Sequence, residues 1–133
     1  MFEFFKKKKT SPVKKEVKEV LTEEQKDELR KEITQLTAEI EASDSTAPVL
    51  AEKYEKVGLL LAQLNEIDQA ITALEKSQSY QNNIGAGYKK LMSLYNQKRA
   101  EAAKNGDDAG IDLWMNKMDD MRQIAKKVTI SGQ

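Results

Sequence analysis

The sequence predicts an all-α protein of about five helices packed as antiparallel pairs. No segment of any length alternates apolar and polar residues with a period of two, which a half-buried strand would require. Apolar residues instead recur at intervals of three and four along most of the 133 residues. Only two prolines and six glycines interrupt the chain. The predicted loops are therefore short, and short connections make sequence neighbours antiparallel.

The first helix is predicted over 22–43. Thr22 and Gln25 have the spacing of a capping box, in which Gln25 reaches back to the amide of Thr22. Ser11 and Pro12 offer a competing, earlier start, with proline at the first helical position. We favour the start at Thr22.

An apolar stripe on this helix steps by four, three and four residues, through Leu29, Ile33, Leu36 and Ile40. It covers only about two heptads, fewer than a coiled coil normally shows. Packing within the chain is therefore favoured over a coiled-coil seam.

The second and third helices are predicted at 48–64 and from about 67 to 79. Pro48 suits the first turn of a helix, and it follows a polar loop. A break near Asn65 separates the two helices, and Asp68 places a carboxylate at the favourable end of the third helix dipole.

The fourth and fifth helices are predicted at 85–104 and from about 107 to 128. Gly106 is free to take the left-handed conformation that ends a helix, and Asp107 or Asp108 can cap the next one. The last helix carries Trp114 with a methionine stripe, for which a core position is favoured over a partner-binding surface. Met115 is expected to be the most exposed of its methionines.

Residues 54–77 resemble one tetratricopeptide-type repeat, and the resemblance is best over 51–79. It rests on these residues: Tyr54, Val57, Gly58, Leu61, Asp68, Ala70, Ile71 and Leu74. Gly58 and Ala70 are small where the two helices must touch. The aromatic residue usual at the place of Leu61 and the proline usual after the second helix are missing. A generic helical bundle is the alternative interpretation.

A degenerate second unit is predicted over about 85–127. Tyr88, Leu91 and Tyr95 follow Tyr54, Val57 and Leu61 by 34 residues each, as a repeat would require. Met92 replaces the small residue of the first unit. The first helix is also extended, so the turn is expected about five residues late.

The resemblance implies a non-enzymatic adaptor or scaffold that binds a protein or peptide partner. In this family the first helix of each unit lines the binding groove. By position, the contacting residues would be Glu52, Glu55, Leu59, Ala62, Gln63, Lys89, Ser93, Asn96 and Gln97. Because this surface is mostly polar, no known ligand is predicted. The alternative is a structural helical protein that self-associates into a homo-oligomer.

The composition argues against chemistry and against cofactors. The chain has no cysteine and no histidine, which removes disulfides, thiolates, the commonest general base and the commonest metal ligand. The acidic run at 105–112 fails the spacing of a calcium loop, so helix capping explains it better. No enzyme activity, metal or cofactor is predicted. No apolar run is long enough to span a membrane, and we expect a cytoplasmic protein.

The N-terminus predicts a weak contact with an anionic membrane surface. Its aromatic and basic residues are Phe2, Phe4, Phe5, Lys6, Lys7, Lys8 and Lys9. Residues 1–20 hold seven lysines and three glutamates, a net charge of +4, whereas the remainder is acidic. A basic tail without a target is the alternative, and the acidic body argues against nucleic acid. The predicted organisation is a flexible tail at 1–20, one helical domain at 21–128 and a short tail at 129–133.

Overall fold

The computed structural model describes residues 20–42 and 44–130, and this part of the chain is all-α. It contains five helices: α1 (Glu23–Ala42), α2 (Ala47–Gln63), α3 (Ile67–Tyr80), α4 (Ala86–Lys104) and α5 (Asp108–Ile130). No strand occurs among these residues. The predicted fold class and number of helices are therefore confirmed. The last helix continues two residues beyond its predicted end.

The chain divides into two compact units, with the boundary inside α1 between Glu32 and Ile33. The described part of the first unit holds the predicted capping box. The N–H of Thr22 donates to Oε1 of Gln25 at 2.9 Å, and the N–H of Gln25 donates to Oγ1 of Thr22 at 3.0 Å. The capping prediction is confirmed, whereas the competing start at Pro12 lies outside the described residues.

The hairpins α2–α3 and α4–α5 are closed by turns with the same geometry. Asn65 has a φ of +62°, and the N–H of Glu66 donates to the carbonyl five residues earlier at 2.9 Å. Gly106 has a φ of +69°, and the N–H of Asp107 donates to the carbonyl five residues earlier at 2.8 Å. Each turn is a Schellman motif, which satisfies the last carbonyls of a helix. The predicted left-handed role of Gly106 is confirmed.

The two turns lie 41 residues apart, whereas the sequence echo has an interval of 34. Tyr54 lies well inside α2, but Tyr88 lies in the first turn of α4. Corresponding positions in the two hairpins are therefore not separated by 34 residues. The difference arises because α4 is 19 residues long and the link 81–85 precedes it.

Helices α2 and α3 approach closely at Gly58. A Cβ atom there would lie 2.5 Å from Cγ of Leu74 and 3.3 Å from the carbonyl oxygen of Ala70. Near the open end of this hairpin, the buried hydroxyl of Ser77 donates to the carbonyl of Ala51 at 2.7 Å. The small residues predicted at the helix contact do allow the close approach.

One apolar core is formed by α2, α3, α4 and α5. Its buried residues are of the types Leu, Ile, Val, Ala, Met and Tyr: Val57, Leu61, Ala70, Ile71, Ala73, Leu74, Leu91, Leu94, Tyr95 and Met121. Trp114 and Met118 are half-buried against this core, whereas Met115 is 49% exposed. The core position predicted for most of the Trp/Met stripe, and the exposure of Met115, are confirmed.

Candidate partner-binding surfaces

An apolar groove lies between α1 and α3, with α2 as its floor. The floor is formed by Tyr54, Val57 and Leu61, which step by three and four residues along one face of α2. The walls are formed by Ile33, Thr37, Ile40 and Glu41 of α1 and by Asp68, Gln69, Thr72, Ala73 and Lys76 of α3. The groove has a volume of about 580 Å³, which is within the range of ligand-binding clefts.

The groove exists because the C-terminal half of α1 stands away from the other helices. From Ile33 onward, no Cα atom of α1 lies within 8 Å of a Cα atom in another helix. Ile33, Leu36 and Ile40 pack against the core, but each is only half-buried. The groove therefore runs along about two helical turns of α2, where Tyr54 is half-buried and Val57 and Leu61 are buried at its floor.

An ion pair joins α1 to α2 beside the groove. Nζ of Lys53 donates to Oε1 of Glu39 at 2.8 Å. The hydrogen bond from Lys53 lowers the pKa of the Glu39 carboxyl below its usual value. Because the pair lies at the surface and is only part-buried, we assign it to positioning α1 and expect little stability from it.

The rim of the groove is charged and slightly acidic. Glu41 and Asp68 contribute carboxylates and Lys76 an ammonium group, so these lining residues carry a net charge of −1. Asp68 is also paired with Lys98 of α4 at 3.0 Å, but 82% of its side chain remains exposed. A bound segment can therefore still reach both carboxylates.

The nine residues predicted to contact a partner lie on α2 and α4 and do not line the groove. Six are exposed, namely Glu52, Gln63, Lys89, Ser93, Asn96 and Gln97, and three are half-buried, namely Glu55, Leu59 and Ala62. Apart from Leu59 and Ala62 this set is polar. It therefore offers little apolar surface to a partner.

Glu55 makes an intramolecular bond. Its Oε2 accepts a hydrogen bond from the N–H of Gly87 at 2.6 Å, which connects α2 to the first turn of α4. The residue before α4 is Gly85, which has no side chain for capping. Glu55 supplies the carboxylate that a helix N-terminus favours. Ala62 packs against the core, so two of the nine residues already have partners inside the protein.

A polar cluster connects α3, α4 and α5. Oε2 of Glu75 accepts hydrogen bonds from the hydroxyl of Tyr95 at 2.5 Å and from the ammonium of Lys117 at 2.9 Å. Nζ atoms of Lys98 and Lys117 lie 5.8 and 5.9 Å from the ring centre of Trp114, the only tryptophan. Burial, and then the bond to Glu75, raise the pKa of the Tyr95 hydroxyl well above its usual value. We assign this cluster to holding the hairpins together.

One face of α5 presents a second surface, half-buried at Met118 and Ala125 and otherwise exposed, here named the α5 stripe. It consists of Met115, Met118, Arg122, Ala125, Lys126 and Thr129. The last four of these residues, with Tyr88 of α4, line a cavity of about 350 Å³. Arg122 is paired with Asp119 of the same helix at 2.8 Å. The stripe therefore combines adaptable methionines with two cations.

The residues predicted to contact a membrane, Phe2, Phe4, Phe5, Lys6, Lys7, Lys8 and Lys9, lie outside the described residues. Among residues 20–42 and 44–130, no helix is long and apolar enough to cross a bilayer. The same residues contain no group of three or more aspartates or glutamates arranged to hold a metal ion.

Comparison with known proteins found no match to this chain among protein-family models, curated proteins or solved structures. The two surfaces are therefore interpreted from their own chemistry.

Sequence reasoning missed the groove, although part of its signal is present in the sequence. The period of the α1 stripe correctly places Ile33 and Ile40 on the side that faces the core. A pattern of residues gives the direction of a side chain but not the distance between two helices. Residues on α3 such as Thr72 give no signal, because their positions depend on where α1 packs.

Proposed function

We propose that the protein is a non-enzymatic protein–protein interaction module and that its binding site is the groove between α1 and α3. The observation that carries the proposal is the apolar groove itself, whose floor is formed by Tyr54, Val57 and Leu61 of α2. Apolar clefts with a polar rim are typical of protein interaction sites. The polar side chains of Thr37 and Thr72, one on each wall, would orient the bound segment.

A helix fits this groove better than an extended segment. The floor residues step by three and four, which is the spacing of one face of a helix, and both walls are themselves helices. A bound helix would place its own apolar side chains between those of three neighbours, as ridges pack into grooves. This is the helix-in-groove mode of recognition, with anchors at intervals of three and four residues.

The resemblance of residues 54–77 to a tetratricopeptide-type repeat supports the class of function, but the proposed site is different. In that family the first helix of each unit lines the groove. Here the corresponding residues are mostly polar, and Glu55 and Ala62 have partners inside the protein. We place the module in the cytoplasm, which the lack of cysteine favours.

Site-specific photo-crosslinking in the native cell tests this proposal. A photoreactive amino acid at position 72 lies on the wall of the groove. The matched control at position 93 replaces Ser93, one of the nine residues predicted to contact a partner. Both positions are exposed and helical. We expect a protein adduct from position 72 and none from position 93. Adducts from position 93 alone would move the site to α4, and adducts from neither position would refute the interaction function.

We also propose, from sequence alone, that residues 1–9 attach the module weakly to anionic membranes. Aromatic rings and clustered lysines favour such a surface. Co-sedimentation with phosphatidylserine vesicles, compared between the full chain and a chain that lacks residues 1–9, tests this idea. Equal binding by both forms would refute it.

A further inference from the structure

We infer that the partner in the groove is a second copy of this chain, which inserts its α5 stripe between α1 and α3. The inference depends on the proposed function, because it names the occupant of the same groove. Both surfaces belong to the described residues and share no residue. One copy can therefore donate its stripe and accept another stripe at the same time.

The charges of the two surfaces are complementary. The groove carries Glu41, Asp68 and Lys76, a net charge of −1. The α5 stripe carries Arg122 and Lys126, a net charge of +2. The ion pair of Arg122 with Asp119 is exposed, so exchange for a carboxylate of another copy costs little. Opposite charges at the rim favour docking of this helix and guide its approach.

The spacing of the two surfaces also agrees. The floor of the groove steps by three and four along α2, and the stripe steps by three and four from Met115 to Thr129. At a rise of 1.5 Å per residue the stripe is about 20 Å long and the floor about 10 Å. The stripe can therefore fill the groove along its whole length. Met115, which is 49% exposed, supplies a flexible apolar side chain that adapts to an irregular cleft.

Four of the six stripe residues are exposed. The backbone of α5 approaches the backbone of α4 alone, although the side chain of Met121 reaches the core. No Cα atom of α5 lies within 8 Å of one in α2 or α3. A groove on one surface that binds a different surface of the next copy forms a heterologous contact. Such contacts produce open chains unless a rotation closes them into a ring. The inference therefore specifies a head-to-tail assembly that grows with concentration.

Sedimentation velocity of the full chain tests the assembly without any substitution. We expect the mean mass to rise through and beyond that of the dimer across micromolar concentrations. At high salt the extent of assembly should fall several-fold, because the rim charges are screened. A chain that is monomeric at every concentration would overturn the inference. So would a plateau at the dimer, which indicates a closed, symmetric contact.

Two blocked variants give a sharper test. Thr72→Arg fills the groove and adds a positive charge, whereas Arg122→Glu combined with Lys126→Glu reverses the charge of the stripe. We expect each variant to remain monomeric alone. Mixed together, they should form a one-to-one dimer that grows no further, because each retains the surface that the other has lost. A mixture that stays monomeric would overturn the inference.

Ser93→Arg is the matched control, because it adds the same side chain at another exposed helical position. It should assemble as the unmodified chain does. Circular dichroism shows whether each variant is folded. If a variant is not folded, the concentration and salt dependence of assembly by the unmodified chain decides whether the inference holds. A monomeric chain that still yields cross-links from position 72 to another protein would overturn this inference and leave the proposed function standing.

Discussion

Replacing Gly58 with alanine tests whether the close approach of α2 and α3 limits the first hairpin. The added Cβ would lie 2.5 Å from Cγ and 2.6 Å from Cδ2 of Leu74, which is only 1% exposed. Adding a methylene to a packed core costs about 1–3 kcal/mol, and replacing glycine by alanine within a helix returns about 1 kcal/mol. We expect a net loss of about 1 kcal/mol in the free energy of unfolding.

The same substitution should have the opposite sign where Leu74 is already alanine. Leu74→Ala alone should cost about 2–5 kcal/mol, because it leaves a cavity. In that background Gly58→Ala no longer meets Cγ and Cδ2 of Leu74, gains helix propensity and fills part of the space, so it should add about 1 kcal/mol. Urea denaturation, followed by Trp114 fluorescence and circular dichroism, measures all four proteins. Stabilisation of the intact protein by Gly58→Ala, or equal effects in both backgrounds, would refute the packing argument.

Three further predictions concern the turns, the link between hairpins and the pH dependence. Asn65→Gly should raise the free energy of unfolding by up to about 1 kcal/mol, and Gly106→Ala should lower it by about 1–2 kcal/mol, because only glycine takes a positive φ without strain. Changes of the same sign for both variants in urea denaturation would contradict this. Glu55→Ala should lower the free energy of unfolding by about 1–2 kcal/mol and speed amide exchange at Gly87, because the N–H of Gly87 loses its acceptor. An unchanged exchange rate at Gly87 would argue against this hydrogen bond. In alkaline titration the Tyr95 hydroxyl, with its raised pKa, should stay protonated above the ordinary tyrosine pKa of about 10. The pKa of Tyr95 in the folded protein exceeds its unfolded value of about 10. The contribution of this hydroxyl to stability is therefore complete below about pH 10 and is lost as pH rises through the folded pKa. Tyr95→Phe should remove this loss of stability, and ionisation of Tyr95 at the ordinary tyrosine pKa would contradict the assignment.

Local signals in the sequence are sufficient to predict the helices and their ends. The capping box of Thr22 and Gln25, and the left-handed Gly106, depend only on residues within one turn of each other. Close contact between Gly58 and Ala70 is also predictable, because small residues at helical spacing let two helix backbones approach each other. These features follow from the backbone geometry of a single hairpin.

The candidate site could not be predicted in the same way. The walls of the groove depend on the distance of α1 from α2. Glu55, one of the residues predicted to contact a partner, accepts a hydrogen bond from the N–H of Gly87, 32 residues away in the chain. The 34-residue echo does not give the register of the helices, because Tyr54 lies well inside α2 and Tyr88 lies in the first turn of α4. Distances and registers between helices are set by the whole core, which no window of the sequence contains.

The single carboxylate of Glu75 has a consequence for how the protein unfolds. It connects α3 to Lys117 of α5, although no Cα atoms of these two helices lie within 8 Å of each other. In a linear array of hairpins, cooperativity is limited by the coupling between nearest neighbours. A bond that reaches past the adjacent helix extends this coupling, so that fraying of α5 releases a group on α3. Amide protons of α3 and α5 should therefore exchange in one opening event, and Glu75→Gln should separate it into two.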